Sequence, residues 1–230
     1  MKNILIKSTY LIIFILLQSC NSNSKSLMKK KFVECDVIGL KSRPSNIYKK
    51  YLKYKEESNI QYLIKYSKSE NLIERTYASW ALMEKGNPDS LKQLSELLED
   101  SNEITQSCGC TYGRIKISTS SYLNYLSTVP FNENEYPFSF DYKLSIMDSL
   151  ILFQEPINND LLDIAMNNRE FKSKEMIERI IYLTFNKKNE IAGNYIKAKL
   201  ENKSLEKYKN KIVILANKNP NLKISRYLNK

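Results

Sequence analysis

Hydrophobic residues recur along this chain at the three- and four-residue steps of amphipathic helices, and the pattern is clearest from Glu74 to Asp100. The first half of this stretch places Tyr77 and Trp80 on one apolar face, and the second half has a leucine-rich face. Between the two halves stands Gly86-Asn87-Pro88, which ends the first helix because glycine suits the position after a helix and proline cannot continue it. The pattern predicts a hairpin of two helices that must stack on neighbours to bury their apolar faces.

Similar helix pairs precede and follow this hairpin, with a period of 31 to 34 residues. The interval of 66 residues from Leu91 to Ile157 is about two periods, so one repeat position is filled by residues that lack the helical pattern. The spacing favours an α-solenoid over a four-helix bundle. The other predicted helices begin at Ile60 or span residues 47–55, 141–153, 157–167, 174–185, 190–200, 205–216 and 222–228.

The residues of the clearest hairpin resemble a HEAT-like repeat of the short bacterial type found in phycobilisome-lyase-related proteins. The resemblance rests on an arginine, two alanines, a leucine and a glycine in the first helix and its turn, followed by an apolar helix that ends in an acid: Arg75, Ala78, Ala81, Leu82, Gly86 and Asp100. It implies an all-α, right-handed α-solenoid of HEAT-like or armadillo-like hairpins over residues 44–230. It implies no activity, because such repeats occur in lyases, scaffolds and adaptors alike.

The repeat position at residues 103–140 is irregular. Alternating β-branched residues from Glu103 to Ile117 predict a short β-containing insertion, with two strands around a turn near Gly109. A helix with Tyr122 and Tyr125 is predicted next, and residues 131–140 are predicted to be a loop rich in aromatic residues. These aromatic side chains either fill the gap left by the irregular repeat or form a partner-binding patch with a charged rim. The candidate binding residues are Tyr136, Phe138, Phe140, Glu133, Glu135 and Arg114.

The N-terminus has the features of a secretory signal. Lys2 and Lys7 precede an apolar run that is too short to span a bilayer, so residues 1–19 are interpreted as a signal peptide. The sequence Leu-Gln-Ser-Cys at its end resembles the bacterial lipobox, which implies that Cys20 receives palmitate-like acyl chains and anchors the protein in the membrane. The residue after Cys20 is Asn21, whereas the inner-membrane retention signal of lipoproteins has an aspartate at this position. We therefore expect an outer-membrane lipoprotein that faces the periplasm, with a basic tether over residues 20–43.

Charge is spread unevenly along the chain. The net charge of +11 falls to +9 once the signal peptide is removed. Residues 25–55 and 197–230 each contain ten basic and two acidic residues, whereas residues 101–163 contain three basic and eight acidic ones. Basic segments suit nucleic acid, but an exported protein meets little of it, so no nucleic-acid partner is expected. The N-terminal basic segment is either an ordinary solvated face or a contact with anionic lipid headgroups.

Four cysteines and no histidine restrict the chemistry. With Cys20 acylated, Cys35, Cys108 and Cys110 remain, and they allow three disulfide pairings. A bridge from Cys35 to either of the other two is slightly favoured, because the ring between Cys108 and Cys110 is strained. Without histidine the common catalytic triads are excluded, and two or three cysteines alone make a poor zinc site. The five glycines form no phosphate-binding loop. No cofactor and no metal are expected.

The sequence therefore favours a non-catalytic, lipid-anchored scaffold that binds a protein of the cell envelope. One alternative is an envelope enzyme with a pocket in the irregular repeat. Its pocket would be lined by Arg114, Glu133, Glu135 and tyrosines. The other alternative is a structural protein that is held electrostatically on anionic envelope polymers.

Overall fold

The computed structural model describes residues 32–38, 45–85, 91–109, 111–128 and 138–227. These residues form ten α-helices, several 3₁₀ turns and one three-stranded sheet, so the fold is mostly helical, with a small β component. The chain divides into two compact units, unit 1 (Met1–Thr128) and unit 2 (Val129–Lys230), where the sequence predicted a single domain over residues 44–230. Among the described residues, no helix has both the length and the apolar character needed to cross a bilayer.

Unit 1 combines five helices with the sheet. Its helices are α1 (Tyr48–Glu56), α2 (Ile60–Tyr66), α3 (Leu72–Lys85), α4 (Leu91–Glu99) and α5 (Ile117–Ser127). Helix α3 packs against α1, α2 and α5, and α4 packs against α5. These elements agree with the predicted hairpin, whose two helices are α3 and α4.

The sheet has the strand order β1 (Phe32–Ile38), β2 (Glu103–Gly109) and β3 (Thr111–Lys116). Strands β2 and β3 pair in antiparallel fashion, which confirms the two strands predicted around Gly109. Strand β1 pairs with β2 in parallel and lies in the stretch that the sequence assigned to the tether of residues 20–43. The tether boundary was therefore placed too late, because a strand that pairs with residues about 70 positions away leaves little local pattern.

Helix α3 lies at the centre of unit 1. Eight consecutive side chains, from Thr76 to Met83, are buried, so the helix is covered on every side along this stretch. The rings of Tyr77 and Trp80 form a cluster with Tyr51 of α1, with ring centroids 5.3 to 5.8 Å apart. The indole nitrogen of Trp80 donates to the hydroxyl of Ser120 at 3.1 Å, which satisfies the one polar atom of the buried indole.

Tyr77 also fixes the edge strand β1. Its hydroxyl accepts a hydrogen bond from the Glu34 amide at 3.0 Å and donates one to the Glu34 carbonyl at 3.2 Å. Both backbone groups lie on the edge of β1 away from β2, where unpaired groups would be costly. Ser45 donates to the buried carboxylate of Glu34, so this acidic side chain is also satisfied.

A disulfide joins Cys35 of β1 to Cys108 of β2. It is one of the three pairings that the sequence left open. The bridge links residues 73 positions apart, and closing a loop of this length disfavours the unfolded chain by about 4 kcal/mol in the chain-entropy description. Cys110 lies outside the described residues.

Unit 2 contains helices α6 (Phe138–Phe153), α7 (Asn159–Asn168), α8 (Lys174–Phe185), α9 (Glu190–Glu201) and α10 (Lys209–Lys218). Three of them begin at a side chain that caps the helix, since Asn158, Ser173 and Asn189 each accept a hydrogen bond from a first-turn amide. Helix α6 packs against α7 and α8, and α9 packs against α7, α8 and the 3₁₀ segment Ile224–Tyr227. Helix α10 packs against α8.

Two predicted elements of unit 2 differ from the structure. The loop predicted over residues 131–140 ends earlier, because α6 begins at Phe138, directly after a proline of the kind favoured at helix starts. The helix predicted over residues 222–228 is replaced by the 3₁₀ segments Pro220–Leu222 and Ile224–Tyr227. Lys223 lies between them with a left-handed φ of 53°, which interrupts any continuous helix.

The structure predicts that the Tyr77 hydroxyl is needed for the stability of unit 1. Tyr77→Phe keeps the ring but leaves a buried amide and carbonyl of Glu34 without partners. We expect the free energy of unfolding to fall by about 1–3 kcal/mol. Urea denaturation followed by the fluorescence of Trp80, the one tryptophan in the chain, measures the change within unit 1.

Tyr112→Phe is the matched control, because Tyr112 is 74% exposed and the same atom is removed. We expect the control to shift the free energy of unfolding by less than about 0.5 kcal/mol. Equal denaturation midpoints for the two variants would contradict the role of the Tyr77 hydroxyl.

Candidate functional site

The residues predicted to bind a partner are only partly described by the structure. Arg114 lies on β3 with an exposed side chain, opposite Thr105 of β2. Phe138 and Phe140 belong to the first turn of α6, in unit 2, whereas Arg114 belongs to unit 1. Cys20, Glu133, Glu135 and Tyr136 lie outside the described residues. The predicted partner site and the alternative enzyme pocket in the irregular repeat therefore stay predictions.

A different part of unit 1 forms a groove, which is lined by α2, α3 and α4 and has a volume of about 380 Å³. This volume lies within the range of known ligand sites. Ile64, Leu82 and Leu97 supply apolar surface, and Leu82 and Leu97 are almost completely buried. We call this feature the α2–α4 groove; its polar lining consists of Ser67, Lys68, Arg75, Gln93, Glu96, Glu99 and Asp100.

Two ion pairs cross the α2–α4 groove, and they differ in exposure. Lys68 and Glu96 are 2.7 Å apart, with side chains that are 59% and 37% exposed. An ion pair with this exposure contributes little to stability, since water and salt screen it. The pair is therefore accessible to the charged groups of a ligand.

The second pair holds the groove together. Arg75 lies 3.5 Å from the Asp100 carboxylate, and its Nε donates to the Ser69 carbonyl at 2.6 Å. Both charged side chains are less than one fifth exposed. The other oxygen of Asp100 accepts hydrogen bonds from the amide and the side chain of Asn102. Arg75 thus connects the segment after α2 to the segment after α4. Its guanidinium already has partners within the protein, so its role is structural.

Three buried tyrosines of unit 1 are weaker acids than an ordinary phenol. Burial raises the pKa of Tyr51, Tyr77 and Tyr125 well above the ordinary value of 10, and a hydrogen bond to Glu84 raises that of Tyr51 further. These phenols therefore stay protonated at neutral pH. Glu84 also accepts from Asn124 at 3.0 Å and pairs with Lys55 at 3.1 Å, so its carboxylate is held by three side chains. Within the described part of the chain, no group of three or more acidic or cysteine side chains is placed to hold a metal ion.

In unit 2, the most prominent exposed aromatic pair already has a cation. Arg179 lies over the rings of Phe153 and Tyr182, 5.7 and 5.3 Å from their centroids. The guanidinium also donates to Glu155 at 2.6 Å and to the Leu152 carbonyl at 2.8 Å. The hydrogen bond from Arg179 holds the pKa of the Glu155 carboxyl below its usual value. This arrangement holds the turn after α6 in place, and the Arg179 guanidinium already has partners within the protein.

Sequence reasoning did not find the α2–α4 groove. It noted Arg75 and Asp100 only as repeat residues, and it gave no role to Lys68 or Glu96. Lys68 and Glu96 are 28 positions apart in the sequence, and their proximity becomes visible only in the folded structure.

We predict that the two cations of the groove differ in their effect on stability. Arg75→Ala leaves the Asp100 carboxylate and the Ser69 carbonyl without their partner, so the free energy of unfolding should fall by about 1–3 kcal/mol. Lys68→Ala removes an exposed pair and should cost less than about 1 kcal/mol. Urea denaturation followed by Trp80 fluorescence compares them, and equal losses would show that Arg75 has no special structural role.

Comparison with known protein families, with curated proteins and with solved structures finds no match for this chain. The interpretation of the groove therefore rests on its own residues. They offer an apolar surface, one exposed ion pair and one largely buried ion pair.

Proposed function

We propose that this protein is a lipid-anchored α-solenoid that acts as a non-catalytic scaffold and binds a segment of another envelope protein in the α2–α4 groove. The observation that supports it best is the groove itself. It combines the apolar surface of Ile64, Leu82 and Leu97 with the exposed Lys68–Glu96 pair. An extended peptide segment with one apolar side chain between an acidic and a basic residue satisfies all of these groups.

The order of helix packing supports an α-solenoid of helical hairpins. Within unit 2 the first helices of successive hairpins, α6, α8 and α10, pack in series. The second helices α7 and α9 do the same, and the 3₁₀ segment Ile224–Tyr227 packs on α9 in the position of a third. Within unit 1, α1, α3 and α5 pack in the same serial way. Packing of first helices on first helices and second on second is what stacked repeats require.

The location of the groove agrees with this interpretation. Helices α2 and α4 are the second helices of their hairpins, and second helices line the concave face of a HEAT-like solenoid. A concave face presents a fixed surface to an extended partner. Binding there needs no catalytic group, and the protonated phenols of Tyr51 and Tyr77 supply none.

The lipid anchor rests on the residues that precede the described part of the chain. Leu17-Gln18-Ser19-Cys20 follows a basic start and an apolar run, in the order of a lipoprotein signal. Acyl chains on Cys20 hold the scaffold at the outer membrane, facing the periplasm, where its partner would also be found.

Site-specific photo-crosslinking in intact cells tests the groove. A photoreactive phenylalanine replaces Gln93, which lines the groove, and in a matched control it replaces Tyr182, an exposed aromatic residue of unit 2. We expect a discrete adduct with one envelope protein from position 93 and none from position 182. An adduct only from position 182 would contradict the groove as the binding site.

Charge reversal then tests the recognition itself. The double variant Lys68→Glu with Glu96→Lys keeps the ion pair and the net charge but reverses its direction across the groove. We expect the stability to stay within about 0.5 kcal/mol of the parent and the crosslink from position 93 to be lost. An adduct of unchanged yield would show that the pair does not select the partner.

Acylation of Cys20 is tested separately. We expect the parent protein to incorporate an alkyne analogue of palmitate in growing cells and Cys20→Ala to incorporate none, because the thiol is the acceptor. Cys110→Ala is the control and should keep the label. Label retained by Cys20→Ala would remove the anchor from the proposal and leave the groove untouched.

A further inference from the structure

Helices α1 and α2 share a surface that combines lysines with a stacked tyrosine. We define this basic tyrosine surface by five exposed residues, Lys49, Lys50, Lys53, Tyr62 and Lys65. Lys50 lies four residues before Tyr54, and Lys53 lies directly before it. The ring centroid of Tyr54 is 6.3 Å from that of Tyr62. Lys65 stands one turn after Tyr62 on α2. The lysines therefore surround an aromatic contact between the two helices.

Tyr62 is held in place although it is 39% exposed. Its ring centroid is 4.4 Å from that of Tyr66, and Tyr66 in turn is 5.8 Å from Tyr54. Contact with two tilted neighbouring rings restricts the rotamers of Tyr62, and its hydroxyl is engaged in a hydrogen bond with Tyr66. The exposed part of the ring therefore faces outward at little entropic cost. Tyrosine in such a position suits a boundary between apolar and aqueous phases, because one part of the ring is apolar and the other is polar.

The lysines of this surface differ from their neighbours in their pairing. Lys55 is bound to Glu84, and Lys68 is bound to Glu96. By contrast, Lys50, Lys53 and Lys65 form no ion pair with the residues that the structure describes. Three acids lie near this surface: Glu56, which is exposed, Glu57, which accepts from the Asn59 amide at 2.8 Å, and Glu74, whose charge acts on Tyr54 and Tyr62. Glu74 also accepts a hydrogen bond from the Ser69 hydroxyl at 3.0 Å. The four lysines of the surface outnumber these three acids, so its net charge is positive.

We infer that the basic tyrosine surface lies on the anionic headgroups of a phospholipid bilayer. The inference rests on the proposed acylation of Cys20, which stands twelve residues before Phe32. Even fully extended, these residues span at most about 40 Å, so the anchor keeps unit 1 close to the bilayer. Lysines attract phosphate groups at short range, and a second, electrostatic attachment complements an acyl anchor.

Amine footprinting of the acylated full-length protein tests the inference. The protein is reconstituted in vesicles of phosphatidylcholine alone or with phosphatidylglycerol, treated with an amine-acylating reagent, and analysed by mass spectrometry at each lysine. We expect labelling of Lys50, Lys53 and Lys65 to fall about threefold when phosphatidylglycerol is present. Labelling should recover at 1 M salt, where the Debye length is about 3 Å. Lys172, Lys174 and Lys187 of unit 2, which are also exposed, should not change.

Flotation of the same vesicles separates this inference from the anchor. Protein that floats with both vesicle types but shows equal labelling of Lys50, Lys53 and Lys65 would overturn the surface contact and leave the anchor standing. Protein that fails to float with phosphatidylcholine alone would remove the anchor, and with it the basis of the inference. Uniform protection of every lysine in the presence of phosphatidylglycerol would show non-specific adsorption and would also overturn it.

A charge-reversal variant gives a second, independent readout. In Lys50→Glu/Lys53→Glu/Lys65→Glu, the remaining Lys49 should lose its protection by phosphatidylglycerol. The matched control carries Lys172→Glu/Lys174→Glu/Lys187→Glu, with the same change in net charge, and should keep it. Circular dichroism and urea denaturation of both variants verify that they are folded. Loss of Lys49 protection in both variants would show that only net charge matters, and it would overturn the assignment to this surface.

Discussion

Unit 1 depends on the pair of hydrogen bonds between the Tyr77 hydroxyl and the backbone of Glu34. Helix α3 is buried along eight residues, yet burial alone attaches no strand to it. The phenol satisfies the amide and the carbonyl on the open edge of β1, while the disulfide from Cys35 to Cys108 and the parallel pairing hold the other edge. The Tyr77 side chain thereby adds two hydrogen bonds to the packing of β1 against α1 and α3. Because α3 also contacts α1, α2 and α5, the same interaction fixes the frame of the groove.

Much of the helical architecture follows from sequence periodicity, and the rest depends on distant pairing. The bounds predicted for α8, residues 174–185, are those observed, because its apolar stripe, its Ser173 cap and its polar ends all agree. Strand β1 was missed because its acidic Glu34 and Asp36 lower its β-propensity, and the compensation comes from Ser45 and Tyr77, which lie elsewhere in the chain. The same holds for the groove, since Lys68 and Glu96 meet only through tertiary packing.

The irregular repeat has a structural explanation within unit 1. Its hairpin of β2 and β3 supplies the partner strand for β1, and α5, whose Ser118, Ser120 and Ser121 are completely buried, packs on α3. Small side chains let the two helices approach closely, and Ser120 accepts the hydrogen bond from Trp80. The departure of residues 103–127 from the repeat pattern is thus accounted for by the sheet and by this contact. Because the fold explains why residues 103–127 depart from the repeat pattern, the departure by itself does not indicate a binding site.

The short helix α2 lies between the α2–α4 groove and the basic tyrosine surface. Each residue advances about 100° around a helix, so Ile64 and Tyr62 project to nearly opposite sides of α2, and Lys65 projects about 100° from Ile64. Ser67 and Lys68 follow the end of the helix. Ile64, Ser67 and Lys68 line the α2–α4 groove, and Tyr62 and Lys65 belong to the basic tyrosine surface. The charges divide in the same way: Lys68 is opposed by Glu96, whereas Lys65 has no acidic partner among the described residues. The peptide segment and the lipid surface that we propose as partners would therefore use different side chains of unit 1.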